Sequence, residues 1–238
     1  SPSPIQLNES QLAGGLFVRY QINKKWSVKS NIYYGSITGS DERNAKTSKN
    51  RTRNLHFRSE LLEIGINGEY YLRKFDIENP RLRWAPYIFG GIAVFRFNPE
   101  AEYNGEWIPL QPLGTEGQET ALYNDRQRYA LTQVSIPFGG GIKKALNRNW
   151  SIGVEVGSRK TFTDYLDDVS NTYVEEEVLV AARGEIAYRL SNRTGEVLGE
   201  PLDYDSTELR GNPTTDDWYL FAGITISYTI LPERCFVF

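Results

Sequence analysis

Apolar and polar residues alternate with a period of two along most of this chain, and the clearest stretch runs from Thr132 to Lys160. It reads TQVSIPFGGGIKKAL, a short polar turn Asn147-Arg148-Asn149, then WSIGVEVGSRK. Two period-2 runs around such a turn predict a β-hairpin. Val134, Ile136, Phe138 and Ile142 share one face with Trp150, Ile152, Val154 and Val156. The opposite face is small, polar or charged, with Gly139, Gly141, Lys143, Gly153, Glu155 and Arg159. A face of glycines interspersed with charges suits the narrow interior of a small closed barrel whose apolar side faces lipid.

The same design recurs. Gln11–Ile22 predicts a strand with Leu12, Leu16, Val18, Tyr20 and Ile22 on one face and Arg19 on the other. After Asn23-Lys24-Lys25, Trp26, Val28, Ile32 and Tyr34 alternate with Lys29 and Asn31. Phe57–Leu72 sets Leu62, Ile64, Ile66, Tyr70 and Leu72 against Glu63, Asn67 and Glu69. Trp218–Ile230 is the cleanest case, seven apolar positions against Tyr219, Gly223, Thr225 and Ser227. Trp84–Phe97 breaks the rule, because Tyr87, Phe89, Phe95 and Phe97 alternate with Ile88, Ile92 and Val94 and neither face is polar. The run VEEEVLVAARGEIAYRL (174–190) reads either as a short helix or as a strand pair, and Gly184 argues against an unbroken helix.

The first turn echoes the central one: INKKWSV against LNRNWSI, with a Trp just past the turn, where an interfacial aromatic is expected. Connections alternate in length. Those at 23–25, 73–83 and 147–149 are short or medium, and those at 38–56, 98–128 and 162–217 are long. Outer-membrane barrels have short periplasmic turns and long extracellular loops. The reading is therefore one domain over 1–238, an all-β, antiparallel up-and-down transmembrane barrel. Seven strands are legible, whereas bacterial barrels have an even number. The rhythm places the start of the first strand outside, so an eighth strand is expected to precede it and to be absent from this sequence.

Composition agrees. Aromatics make up 13% of the chain and there are 21 glycines, both suited to a β-rich barrel with aromatic girdles. No apolar run nears the ~20 residues of a membrane helix, which excludes a helical membrane protein but not a barrel. A net charge of -3 gives no reason to expect nucleic acid. The segment SPSPIQLNES does not read as a signal peptide.

Arg19, Lys29, Glu63, Glu69, Lys143, Glu155 and Arg159 are expected in the lumen. The interior of an eight-stranded barrel is filled by side chains, so they read as a mutually neutralising network in preference to an ion path. His56, the one histidine, lies near Ser59, but no nucleophile motif surrounds it, and no catalytic residue is assigned. Asp164, Asp167 and Asp168 could ligate calcium with Asp203 or Asp216. No EF-hand spacing is present, and a solvated loop is the preferred reading; neither metal nor cofactor is assigned. Cys235, the single cysteine, permits no internal disulfide. It is an inert thiol or, in an oxidising compartment, an intermolecular disulfide to a partner.

The segments RNLHFRSELLE, PYIFGGIAVFRFNPEAEYNGEWIPLQPLGTEGQ, SIPFGGGIKKAL, GSRKTFTDYLDDVSNTY and RGNPTTDDWYLFAGITISY occur in an order that resembles a Bacteroidetes outer-membrane β-barrel family. Its best-understood members are similar to PorG, a component of the type IX secretion system that also serves gliding motility in some species. The resemblance covers most of residues 11–238 and includes a Cys near the C-terminus. Members usually begin with a Gly-rich strand that this chain lacks. The resemblance implies an integral outer-membrane protein, set in its lipids, that is not an enzyme. It anchors a periplasmic ring of a PorK/GldK-like lipoprotein and a PorN/GldN-like protein. Contact with that ring is expected at Asn23, Lys24, Lys25, Asn147, Arg148 and Cys235. The alternatives are a receptor or adhesin acting through its outer loops and, further off, a lipid-modifying barrel enzyme.

Overall fold

In a computed structural model that describes residues 11–44 and 48–231, the alternating runs become one antiparallel sheet. Its strands are β1 (Gly14–Gln21), β2 (Trp26–Ser40), β3 (His56–Tyr71), β4 (Trp84–Tyr103), β5 (Glu106–Pro109), β6 (Thr132–Ala145), β7 (Trp150–Thr161) and β8 (Trp218–Tyr228). The order around the wall is β1-β2-β3-β4-β6-β7-β8, and β5 pairs only with the far end of β4. The sheet curls into an up-and-down barrel of seven wall strands. Short turns cluster at one end and long loops at the other.

Among the described residues β1 and β8 are the free edges of the wall. Every neighbour along the path is antiparallel, so with seven strands the two edges run in the same direction. Antiparallel closure therefore takes one further strand, running opposite to both. Among the described residues a seam therefore separates β1 from β8. Side chains bridge part of it, since Tyr33 of β2 stacks on Phe221 of β8 with ring centroids 4.9 Å apart.

Burial separates the two faces. In β7 exposed and buried positions alternate strictly from Trp150 to Gly157. The outward positions of the wall strands carry no charge between Lys144 near the turn end and Glu60, Arg96 and Lys160 near the loop end. Aromatic pairs mark the border of this apolar belt at the turn end. Trp26 meets Tyr70 at 4.8 Å and Trp150 meets Tyr228 at 5.2 Å. The two echoing turns are the same device: the Asn23 and Asn147 carboxamide oxygens each accept two backbone N–H groups at 2.8–3.0 Å, the second being that of the following Trp.

One expectation changes and two open readings are settled. In β4 the aromatic face points inward: Tyr87, Phe89, Phe95 and Phe97 are buried, and Ile88, Ile92 and Val94 face out. A lumen packed with side chains takes aromatics as readily as charges, so polarity does not identify its inside face. The loops are also shorter than 38–56 and 98–128 suggest. β2 runs to Ser40, followed by α1 (Asp41–Asn44) and α2 (Ser48–Arg53), and β4 continues to Tyr103. There Asn104 and Gly105, both at positive φ, turn the chain into β5. Finally, 174–190 holds helices: α3 (Glu176–Arg183) and α4 (Glu185–Ser191), separated by Gly184 at φ 89°, with α5 (Gly195–Leu198) beyond. Among the described residues between Phe162 and Asp217, β pairing is limited to the bridge between Thr172 and Leu209.

Candidate functional site

The lumen is the most elaborated part of the molecule. All seven charged residues expected there lie on inward positions, and the barrel's curl brings six of them into pairs. Arg19 of β1 meets Glu69 of β3 at 2.8 Å. Glu69 also accepts hydrogen bonds from Ser27 at 2.6 Å and Tyr71 at 3.2 Å. Lys29 of β2 reaches across to Glu155 of β7 at 2.6 Å, and the Tyr87 hydroxyl donates to the same carboxylate at 2.9 Å. Arg159 of β7 meets Glu63 of β3 at 3.1 Å, where the Tyr219 hydroxyl adds a bond of 2.7 Å. Asn67 donates to Asn31 at 2.8 Å, and Asn31 reaches Glu63 at 3.4 Å. Buried ions persist where partners and hydrogen bonds replace water, as the tyrosines, asparagines and Ser27 do here. The seventh residue, Lys143, sets its ammonium 4.5 Å from the centre of the Phe75 ring. Among the described residues no carboxylate lies within ion-pair distance of it.

An aromatic cluster packs towards each end. At the turn end, Phe75 and Ile77 fold back from the connection between β3 and β4 and pack on Tyr71, Ala85, Tyr87, Phe89 and Ala145. At the loop end, Leu61, Phe95, Phe97, Tyr129 and Leu166 form a second cluster. Tyr129 is stacked between Phe97 at 6.1 Å and Tyr165 at 4.6 Å. Between the two clusters the lumen is not solid: a cleft of about 1290 Å³ on the side of β1 and β8 reaches Tyr33, Glu63, Arg159 and Tyr219.

Above the second cluster the long loops build an ordered cap. Glu116 accepts backbone N–H groups of Ser170 at 2.9 Å and Asn171 at 3.0 Å, and a guanidinium N–H of Arg210 at 3.2 Å. Asp168 accepts the hydroxyls of Thr115 and Tyr129 and faces Arg210 at 3.6 Å. Burial nevertheless pushes Asp168 up to about 7. Next to this network a cavity of about 450 Å³ is lined by Arg53, Asp164, Asp167, Tyr173, Tyr204 and Asp217, among others. Burial raises Asp164 and Asp167 to about 6. Burial, then the Asp167 charge, raises Asp217 to about 8. Folded-state values above the unfolded ~3.9 mean that the folded cap binds more protons, so its stability falls as pH rises from about 4 to 8. Amide hydrogens of 163–217 are expected to exchange more slowly at pH 5 than at pH 8, after correction for intrinsic rates. Equal protection would show that the carboxylates do not govern the cap.

Asp164, Asp167 and Asp168 are not assembled with Asp203 or Asp216 as a calcium set, and the preferred reading of a solvated loop is also corrected, since Asp168 is fully buried. Asp168 turns into the buried network and Asp167 accepts the Val169 N–H at 3.1 Å. Asp164 and Asp167 line the cavity with Asp217, in place of Asp203 or Asp216. Among the described residues no group of three or more metal-ligating side chains could hold an ion. His56 and Ser59 fall on opposite faces of β3: Ser59 is fully buried, while His56 Nε2 accepts the Glu102 N–H at 3.1 Å and its ring lies edge-on to Trp107.

Of the expected contact residues, Asn23 and Asn147 are spent on their turns. Lys24 pairs with Asp76 at 2.8 Å, Lys25 donates to the Leu72 carbonyl at 2.9 Å, and Arg148 is exposed. Cys235 lies outside the described residues. Sequence reasoning put Asn31 and Tyr219 on inward faces but did not assign them to the lumen network, and it missed Ser27, Tyr71 and Tyr87, which complete it. Each shares the inward period of the charges, and that period is the signal that finds them.

No curated protein and no solved structure compared with the chain matches it. One family model matches residues 4–184, which take in β1 to β7 and the first helix of the last loop. The chain accordingly belongs to the family described as Domain of unknown function (DUF6089).

Proposed function

We propose that this chain is an integral outer-membrane barrel acting as a non-enzymatic structural component of a type IX protein secretion system, and of the gliding machinery where one exists. In this role it anchors a periplasmic ring of PorK/GldK-like and PorN/GldN-like proteins. The uncharged outward belt supports the membrane setting: paired strands satisfy the backbone polar groups between the edges, and the aromatic pairs suit the headgroup level. Short turns belong on the periplasmic side and the helical cap outside. The observation that carries the role is the lumen. Narrowed by an aromatic cluster towards each end and cross-linked by ion pairs, it suits an anchor better than a conduit.

The test is purification of the tagged protein from its native outer membrane in mild detergent without reductant, with mass spectrometry of what accompanies it. Recovery of the two ring proteins is expected, with a reductant-sensitive adduct lost in Cys235→Ser if that thiol joins a partner. Recovery of the barrel alone, under conditions that keep the ring intact, would defeat the anchoring role. The second reading, a receptor acting through its outer loops, is favoured by the ordered cap and its cavity.

A further inference from the structure

Charge is distributed unevenly between the two ends of the barrel. The described turn-end segments 22–26, 72–84 and 144–150 carry eight Lys and Arg against two carboxylates, Asp76 and Glu78. At the loop end the segment 162–217 alone carries fourteen carboxylates against four Arg. Half of the turn-end cations are engaged within the chain. Lys24 holds Asp76, Lys25 and Arg83 donate to backbone carbonyls, and Arg73 lies 4.7 Å from the Trp84 ring centre. The other four, Lys74, Arg81, Lys144 and Arg148, are exposed, and among the described residues none has a carboxylate within ion-pair distance.

Their placement distinguishes two kinds of anionic partner. Lys144 sits on the outward face, level with Trp84 in the β4–β6 ladder, where lipid headgroups can reach it. Lys74 and Arg81 do not sit there. Burial of Phe75 and Ile77 draws their turn beneath the lumen, across the mouth of the barrel. The Phe75 N–H and the Gln21 side chain fasten the turn to the neighbouring one. Arg148 occupies the tip of the third turn, beyond Trp150. Lipid surrounds the rim of a barrel and does not cover its mouth. A cationic mouth fits a flat anionic surface approaching along the axis.

We propose that the turn end is a docking face for the acidic surface of a soluble protein, held by Lys74, Arg81 and Arg148. This deepens the anchoring reading and rests on it for the side of the membrane. The probe is fluorescent poly-L-glutamate, added to the barrel in nanodiscs of purely zwitterionic lipid. Binding is expected at about 50 mM salt and should be lost at high salt. The triple variant Lys74→Glu, Arg81→Glu, Arg148→Glu should weaken it by at least about tenfold. Arg96→Gln, at the opposite end, should leave it unchanged, and both variants should keep the wild-type band shift on unheated gels.

Equal binding by the triple variant would overturn the proposal. So would abolition of probe binding when phosphatidylglycerol replaces part of the disc lipid, because the cations would then be taken by headgroups. Failure to recover ring proteins from the native membrane, with poly-L-glutamate binding intact, would reject the type IX assignment and leave the acidic docking face standing.

Discussion

Replacing Gly139 with valine should abolish recovery of the folded barrel, read as loss of the fast-migrating band on an unheated gel. Gly139 lies on the inward face of β6, where the wall passes the large rings of β4. A Cβ there would stand 2.2 Å from the Val156 carbonyl oxygen, 2.5 Å from Gly157 Cα and 2.8 Å from the Phe89 ring. Two of these are backbone atoms of the adjacent strand, which cannot move without opening the β6–β7 ladder. Overpacking a well-filled core costs about 1–3 kcal/mol and occasionally more, and backbone contacts this short belong at the upper end. The outward Gly90 makes the control. Its nearest neighbour to an added Cβ is 4.0 Å away, so Gly90→Ala should fold normally. Equal recovery of both variants would mean that the wall is not packed against the rings as described.

The second large effect is expected at the Lys29–Glu155 pair. Lys29→Met leaves the Glu155 carboxylate buried with the Tyr87 hydroxyl as its remaining close donor. Removing one partner of a buried pair costs about 3–5 kcal/mol, whereas replacing both with apolar residues of similar size is often neutral. The double variant Lys29→Met, Glu155→Leu should therefore be more stable than Lys29→Met alone, in urea unfolding followed by tryptophan fluorescence. If the double variant were as unstable as the single, the cost would lie in packing and not in the uncompensated charge.

Most of the wall is legible in the sequence because each strand writes its two faces separately. Trp150, Ile152, Val154 and Val156 state the outward face of β7, and Glu155 and Arg159 state the inward one. The parity argument also needs only the sequence, since seven runs and alternating loop lengths already imply a seam. What the sequence does not carry is the stagger of the barrel. Lys29 finds Glu155 and Arg159 finds Glu63 because the curled sheet brings non-adjacent strands face to face, and that depends on tilt and shear. β4 is ambiguous for a related reason: neither of its faces is polar, and Phe95 and Phe97 are placed inside only by the cluster they build with Leu61, Tyr129 and Leu166. The cap is least legible. α3 and α4 are too short to form on propensity alone. They are held by Tyr123, Val174 and Leu179 packing across segments more than fifty residues apart. Asn104-Gly105 is the exception, a readable hairpin signal inside the long connection 98–128.

The two free edges at the seam have a consequence for self-association. Exposed strand edges ordinarily invite copies of a protein to zip together. Here both edges descend from the loop end to the turn end, and in the membrane setting proposed above every copy stands the same way up. Any two molecules meeting side by side can therefore offer each other only like-directed strands, the less stable pairing. The odd number of wall strands among the described residues makes the seam directional: it disfavours its own kind and matches an ascending strand.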